Sequence, residues 1–234
     1  MAFRFKQFSV DDTGCPMKVG TDSVLLGAWA ALENSRTILD IGTGCGLLAM
    51  IAAQRSEGTV TGIEIDPEAA EVASTNFKSS PWSKRLKSIC ISLQQYTGEG
   101  NGQQFDHIIS NPPYFINSLK APGRERSNAR HTDLLPYGVI TEAISKLLAP
   151  EGSFSLILPY NESAVFKTEA SKSGLQITAE MLVVPKEGKN ANRVLLEFKK
   201  IPAPVRHSSL FIRHTNGEYT EEYKNMTRSL YLNF

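Results

Sequence analysis

One short run of residues, Asn111-Pro112-Pro113-Tyr114, has the composition of a site that acts on a conjugated amino group. The nitrogen of such a group shares its lone pair with a ring or a carbonyl, so it is a poor nucleophile. The side-chain oxygen of Asn111 and the carbonyl of Pro112 can accept the two amino hydrogens and draw out the lone pair. Tyr114 can stack on a planar base. We predict that all four residues are catalytic, although a simple turn would also favour them.

The position of this run supports the catalytic prediction. It follows the apolar residues 105–110, which predict a buried strand. Each proline keeps the preceding residue extended, so the run is stiff. Because open α/β sheets bind ligands at the carboxyl ends of their strands, the motif is expected at a ligand site.

A glycine-rich run about seventy residues earlier predicts a cofactor loop. Residues 37–41 predict a buried strand, and Gly42-Thr43-Gly44-Cys45-Gly46 follows it before a helix that begins near Leu47. The spacing differs from the Gly-x-Gly-x-x-Gly of dinucleotide-binding proteins, which weakens a nicotinamide interpretation without excluding it. The next strand, 59–63, ends at Glu64, whose carboxylate can accept both hydroxyls of a ribose. Asp66 and Pro67 then predict the start of a helix.

Strands and helices alternate along the chain, which favours an α/β fold with a mostly parallel sheet and helices on both faces. An N-terminal hairpin is expected to turn at Thr13-Gly14 and to continue through a strand at 15–19. Two late strands are expected to form an antiparallel edge, and the tail predicts a short strand and a helix. The ranges of these late elements are 177–184, 192–199, 210–213 and 219–229.

The glycine-rich run, Glu64 and the Asn-Pro-Pro-Tyr run together resemble class I S-adenosylmethionine-dependent methyltransferases over roughly residues 20–200. The resemblance implies a Rossmann-like, seven-stranded, mostly parallel sheet with an antiparallel edge strand. It also implies S-adenosylmethionine as the methyl donor. The cofactor-binding residues that it implies are Asp40, Gly42, Thr43, Gly44, Glu64, Ile65 and Asn111.

The sequence departs from this family after the third strand. The family usually has an acidic residue there to hold the adenine amino group, whereas residues 88–93 offer only Ser92. We predict that Ser92 and Leu93 contact the adenine, through a backbone carbonyl or through the serine hydroxyl.

A closer resemblance lies in residues 17–30 and in Arg130-His131-Thr132, which look like the bacterial tRNA1(Val) (adenine-37-N6)-methyltransferase family. It implies methylation of N6 of adenosine 37 in the anticodon loop of tRNA1(Val). It also implies three residues that close over the methionine moiety of the cofactor, namely Gly20, Thr21 and Asp22. Alternatively, Asp22 caps a helix that runs to Leu32.

Contact with RNA is predicted from local clusters of basic residues, because a net charge of +1 and a pI near 7.7 do not favour binding by overall charge. Single-stranded loops can present their bases at low cost. A run of charges can equally be a solvated face. The predicted RNA contacts are Lys120, Arg124, Arg126, Arg130, His131, Lys186, Lys189 and Arg193.

Length and composition predict one domain over residues 1–234, because 41% hydrophobic residues suffice for one core. Within it we expect a hairpin lid (1–20), a core (21–200) and a C-terminal extension (201–234). The absence of a long apolar segment or signal peptide predicts a cytoplasmic protein. The three cysteines predict reduced thiols and no metal site. We also expect a monomer without an obligate protein partner.

Four alternatives remain open from the sequence. A protein-glutamine N5-methyltransferase acting on a release-factor-like protein faces the same lone-pair problem, but enzymes of that type carry a helical domain before the first strand. DNA adenine methylation would require a target-recognition domain that the sequence does not reveal. A catalytically silent cofactor-binding partner of another RNA enzyme would not need the Asn-Pro-Pro-Tyr run. A nicotinamide oxidoreductase would leave that run unexplained.

Overall fold

A computed structural model describes residues 2–99, 102–112 and 135–234. Several residues singled out by the sequence lie outside these ranges and are not described: Pro113, Tyr114, Lys120, Arg124, Arg126, Arg130 and His131. Asn111 and Pro112, the first two residues of the predicted catalytic run, are described, and both are buried.

The described part of the chain alternates between strands and helices. The strands are β1 Phe3–Arg4, β2 Ser9–Val10, β3 Thr37–Ile41, β4 Thr59–Glu64, β5 Leu86–Cys90, β6 Phe105–Ser110, β7 Leu148–Pro159, β8 Gln176–Val184, β9 Arg193–Lys199 and β10 Arg206–Phe211. The helices are α1 Thr21–Trp29, α2 Leu47–Arg55, α3 Pro67–Ser79, α4 Leu93–Glu99, α5 Tyr137–Leu147, α6 Ser163–Lys172 and α7 Glu221–Thr227, with a short 3-10 helix at Tyr160–Glu162.

Eight of these strands form one sheet in the order β10-β8-β9-β7-β6-β3-β4-β5. Only β9 pairs antiparallel with its neighbours, β7 and β8, and the other pairs in the sheet are parallel. The predicted α/β, mostly parallel architecture is therefore confirmed. The order reverses beside β3, so the ends of β3 and β6 lie next to each other at the edge where open sheets bind ligands.

The sheet has eight strands, and the expected number of seven was wrong. The additional strand is β10, which pairs parallel with β8 on its outer side, so that β10 forms the edge of the sheet. The tail strand was predicted at 210–213, and it lies earlier, at Arg206–Phe211. Its first four residues are exposed and polar, and therefore lack the apolar alternation by which strands are recognised.

The helix after β4 begins as predicted. The side chain of Asp66 accepts hydrogen bonds from the backbone N–H groups of Glu68 and Ala69, and Pro67 is the first helical residue. Apolar side chains pack on both faces of the sheet, with Ile51 and Phe77 in one cluster and Phe154 in the other. Within the described residues, no helix combines the length and apolar character needed to cross a membrane.

The N-terminal hairpin consists of β1 and β2, and the predicted second strand at 15–19 is not formed. The turn therefore falls between Arg4 and Ser9, earlier than Thr13-Gly14. Phe5 and Phe8 are buried, and the amino group of Lys6 donates hydrogen bonds to the carbonyls of Arg228 and Phe234. The first residues of the chain are thus packed against its C-terminal extension.

Candidate active site

The glycine-rich run Gly42-Thr43-Gly44-Cys45-Gly46, here called the glycine loop, leaves the end of β3 as a tight turn. The N–H groups of Gly42 and Thr43 donate hydrogen bonds to the carbonyl of Ile63 on β4, at 2.9 and 3.0 Å. Gly42 and Gly44 have φ angles of +71° and +54°, and nothing lies within 4 Å of a Cβ built on either residue. The loop therefore offers open space to a ligand at two positions that favour glycine.

Asp40, near the end of β3, is a buried carboxyl group beneath the glycine loop. One oxygen, Oδ2, accepts a hydrogen bond from the hydroxyl of Thr43 at 2.7 Å. The other oxygen, Oδ1, is buried without a hydrogen-bond partner within the described residues. Burial raises the pKa of Asp40 to about 7. A buried oxygen without a partner is suited to a polar group of a ligand.

Glu64, the last residue of β4, joins the glycine loop to the start of α3. Its Oε2 accepts the N–H of Gly44 at 2.9 Å, and its Oε1 accepts the N–H groups of Ile65 and Asp66 at 2.9 and 3.1 Å. A carboxylate has about four acceptor positions, and three are used here, so Oε2 can accept one further donor. The carboxylate is thus held in place with capacity left for a hydroxyl group.

Ser92 follows β5 and caps the helix α4. Its hydroxyl accepts the N–H of Gln95 and donates to the side-chain oxygen of Gln95 at 2.9 Å, and its N–H donates to that same oxygen. These contacts form a capping box at the start of α4, and the Ser-x-x-Gln spacing that signals it is visible in the sequence. Leu93 is buried as the first residue of that helix. Contact of Ser92 and Leu93 with an adenine stays a prediction, and the serine hydroxyl already has a structural role.

An exposed apolar side chain lies between Glu64 and the start of α3. Ile65 is 53% exposed, although it directly follows a strand of the central sheet. Its carbonyl also lies 4.0 Å from the thiol of Cys90, at the end of β5. A cofactor that contains an amino acid, a ribose and a flat ring could be held here by the open backbone of the glycine loop, the unpaired oxygen of Asp40, the carboxylate of Glu64 and the exposed Ile65. S-adenosylmethionine has these parts.

Asn111 follows β6, which pairs with β3, so it lies at the same edge of the sheet as the glycine loop. The hydroxyl of Ser110 donates to the carbonyl of Ile41 at 2.8 Å, which ties the two strand ends together. The side-chain Nδ2 of Asn111 donates to the hydroxyl of Ser23 on α1 at 3.0 Å. This contact turns Oδ1, the acceptor atom of the amide, away from Ser23. The sequence did not identify Ser23, because 88 residues separate it from Asn111.

The first turn of α1 contains Thr21 and Asp22, and Gly20 precedes it as the N-cap residue. Asp22 is inside the helix, so the expectation that it caps the helix was wrong, as was the expectation that the helix runs to Leu32. Its carboxylate accepts a hydrogen bond from the Nε of Arg193 at 2.8 Å. Closure of Gly20, Thr21 and Asp22 over a cofactor stays a prediction.

The later basic cluster lies around the turn between β8 and β9. Lys189 is exposed and Lys186 is half-buried, whereas Arg193 is held by Asp22. The tail adds Arg213, whose guanidinium carbon lies 3.8 Å from the centre of the Tyr219 ring. The sequence did not identify Arg213 as part of this cluster, because its proximity to Arg193 depends on the pairing of β10 with β8.

The chain is similar in sequence to known methyltransferases over nearly its whole length. A family model described as a methyltransferase small domain matches residues 17–123. A Bacteroides fragilis (strain YCH46) protein named tRNA1(Val) (adenine(37)-N6)-methyltransferase is 43% identical over 230 residues, which cover 98% of this chain and 97% of the relative. A Shewanella baltica (strain OS185) protein of the same name is 45% identical and covers 100% of both chains.

Solved methyltransferase structures share the fold. A predicted O-methyltransferase from Agrobacterium tumefaciens superposes with a TM-score of 0.70 at 23% identity, covering 89% of this chain and 96% of that chain. A 16S rRNA N2 G1207 methyltransferase from T. thermophilus, in complex with AdoMet and guanosine, superposes with a TM-score of 0.55 at 17% identity. That match covers 86% of this chain and 50% of the other.

Proposed function

The chain belongs to the family of tRNA1(Val) (adenine(37)-N6)-methyltransferases and is a methyltransferase, and we propose that it methylates the N6 amino group of an adenine in tRNA. The proposed target is adenosine 37 of tRNA1(Val), as in the names of its relatives. The observation that carries the proposal is the position of Asn111. Asn111 directly follows β6, and its amide is held by the hydroxyl of Ser23 on α1. Strand β6 pairs with β3, which leads into the glycine loop.

We propose S-adenosylmethionine as the methyl donor, and its sulfonium centre supplies an electrophilic methyl group. The open backbone at Gly42 and Gly44 and the unpaired oxygen of Asp40 are suited to its methionine moiety. Glu64 is suited to the ribose hydroxyls, and the exposed Ile65 is suited to the adenine ring. Gly20, Thr21, Asp22, Thr43, Ser92 and Leu93 complete the proposed cofactor site.

The residues of the chain act on the nucleophile in this proposal. Oδ1 of Asn111 and the carbonyl of Pro112 accept the two hydrogens of the adenine amino group, which favours a tetrahedral nitrogen. Ser23 keeps the amide of Asn111 in the orientation that presents Oδ1. No general base is required, because the proton can leave after transfer. In this proposal Pro113 stiffens the loop, and Tyr114 stacks on the base.

The RNA partner is proposed to be the anticodon loop of the tRNA. Lys186, Lys189 and Arg193 lie around the β8–β9 turn, and Arg193 contacts the first turn of α1, which also holds Ser23. The basic residues between Lys120 and His131 are proposed to extend this contact, and they lie outside the described residues. We further propose that the protein acts as a cytoplasmic monomer.

The experiment that tests this function compares three acceptors. Labelled S-adenosylmethionine is incubated with the protein and with unmodified total tRNA, total protein or genomic DNA. Label in tRNA that is recovered as N6-methyladenosine would support the proposal. Label in protein alone would indicate that the protein methylates a glutamine amide by the same mechanism. Label in none of the three would favour a catalytically silent cofactor-binding partner of another RNA enzyme.

A further inference from the structure

A cavity of about 280 Å³ lies between the first turn of α1, the turn that joins β8 to β9, and the C-terminal extension. Its polar lining includes Asp22, Asn192, Arg193, Arg213 and Tyr219. The volume is close to the lower end of the roughly 300 to 1,000 Å³ typical of ligand pockets. The site described above does not include its C-terminal wall.

The charges of this cavity favour an anion. Among the described residues, its lining contains two arginines and one aspartate, which leaves one positive charge. The ion pair between Asp22 and Arg193 accounts for one charge of each sign and holds Arg193 against α1. The remaining positive charge is that of Arg213.

The guanidinium of Arg213 is held in a fixed orientation. Its carbon lies 3.8 Å from the centre of the Tyr219 ring, and its Nη1 donates to the carbonyl of Gly217 at 2.6 Å. The ring of Tyr219 is itself stacked on the buried Tyr223, with centroids 5.0 Å apart. A guanidinium that is already ordered loses little entropy when it binds a phosphate through its remaining N–H groups.

The cavity is next to the proposed catalytic residue along α1. Asp22 lines the cavity, and Ser23, the next residue, holds the amide of Asn111. Because consecutive Cα atoms are about 3.8 Å apart, the cavity and the catalytic edge adjoin the same turn of α1. A polynucleotide whose target base lies at Asn111 would therefore carry its adjoining backbone past this cavity.

We propose that this cavity binds a backbone phosphate of the RNA, close to the target base, and that Arg213 is the residue that recognises it. Arg193 forms the opposite wall, and Tyr219 positions the guanidinium of Arg213. This inference rests on the proposed function, because it assumes an RNA substrate.

The test measures binding and methyl transfer separately. Binding of a fluorescent single-stranded RNA of about eight nucleotides is titrated at several salt concentrations, for the unaltered protein and for Arg213→Gln. The matched control is Arg228→Gln, which removes an exposed arginine on the same extension. The same proteins are then assayed for methyl transfer to tRNA, and melting curves check that each variant folds.

Arg213→Gln is expected to weaken RNA binding about tenfold and to lower the salt dependence of log Kd by about 0.7 for the lost phosphate contact. Arg228→Gln is expected to match the unaltered protein. Tyr219→Leu keeps the charge of Arg213 but removes the ring beneath it, and is expected to weaken RNA binding about threefold. Tyr219→Phe keeps the ring and is expected to bind RNA like the unaltered protein.

Two results of the binding titrations would overturn the cavity proposal. One is unchanged affinity and salt dependence in a folded Arg213→Gln protein; the other is an unaltered protein that does not bind the RNA. If the unaltered protein methylates tRNA while Arg213→Gln has the same KM for tRNA, the proposed function stands and the cavity proposal fails. If RNA binding depends on Arg213 but no tRNA is methylated, the proposed function fails and the phosphate site stands.

Discussion

The carboxylate of Glu64 accepts a hydrogen bond from the backbone N–H of Gly44 at 2.9 Å, and this contact ties the end of β4 to the glycine loop after β3. The proposed ribose-binding group and the proposed methionine-binding loop are therefore mechanically coupled. A change at either residue should alter the whole cofactor site.

Replacing Glu64 with glutamine is expected to raise the Kd for S-adenosylmethionine at least about tenfold. The glutamine amide keeps one acceptor oxygen, but its NH2 group would face the N–H donor of Gly44 or Ile65, and two donors cannot form a hydrogen bond. The negative charge that favours the ribose hydroxyls is also lost. Isothermal titration calorimetry measures the effect, with the exposed Glu151→Gln as the control. Equal affinities of the two variants would argue against the ribose assignment.

Gly44→Ala should distinguish a ligand-binding glycine from one that is needed only for backbone conformation. Gly44 and Gly174 have φ angles of +54° and +79°, and both have open space where a Cβ would lie. Alanine at either position should cost about 1–2 kcal/mol of stability. Only Gly44→Ala is expected to weaken cofactor binding as well, because its methyl group enters the proposed methionine site. Cofactor affinity that falls equally in both variants would show that backbone strain is responsible.

Asp40 is expected to make the stability of the ligand-free protein depend on pH. Its pKa is raised from 3.8 to about 7 by burial, so between these values the folded protein keeps a proton that the unfolded chain releases. The contribution of neutral Asp40 to the free energy of unfolding is fully present below about pH 4 and is lost as the pH rises through about 7. The Tm of the unaltered protein minus that of Asp40→Asn should therefore fall from pH 5 to pH 8. A difference that does not change with pH would contradict this account.

The contact between Ser23 and Asn111 can be tested by a double-mutant cycle. Asn111→Ala is expected to lower kcat by about 100-fold or more with little change in cofactor affinity, because it removes an acceptor of the amino hydrogens. Ser23→Ala should lower kcat about tenfold, and Ser23→Thr, which keeps the hydroxyl, should restore it. If Ser23 acts through Asn111, the double variant should be no slower than Asn111→Ala. Additive losses would assign Ser23 a separate role.

The sequence predicted features that depend on local chemistry. The cap formed by Asp66 and Pro67 follows from residue types at adjacent positions, and the glycine loop follows from its spacing. The Ser-x-x-Gln spacing at Ser92 is a local signal of the same kind, and the hydroxyl of Ser92 caps α4.

Other features could not be predicted, because they depend on how distant segments pair. The contact of Ser23 with Asn111 joins residues 88 positions apart. Arg213 approaches the pocket beside α1 only because β10 joins the sheet next to β8, and the polar face of β10 carries no apolar pattern. For the same reason, the two late strands β8 and β9 were expected to form the edge of the sheet, where β10 lies instead.

The most direct test of the central claim uses two transcripts of tRNA1(Val) that differ only at position 37. With adenosine at that position, the protein and S-adenosylmethionine are expected to give one N6-methyladenosine per tRNA. With guanosine there, no methyl group should be transferred. Equal methylation of the two transcripts, or the absence of methylation from both, would contradict the proposed function.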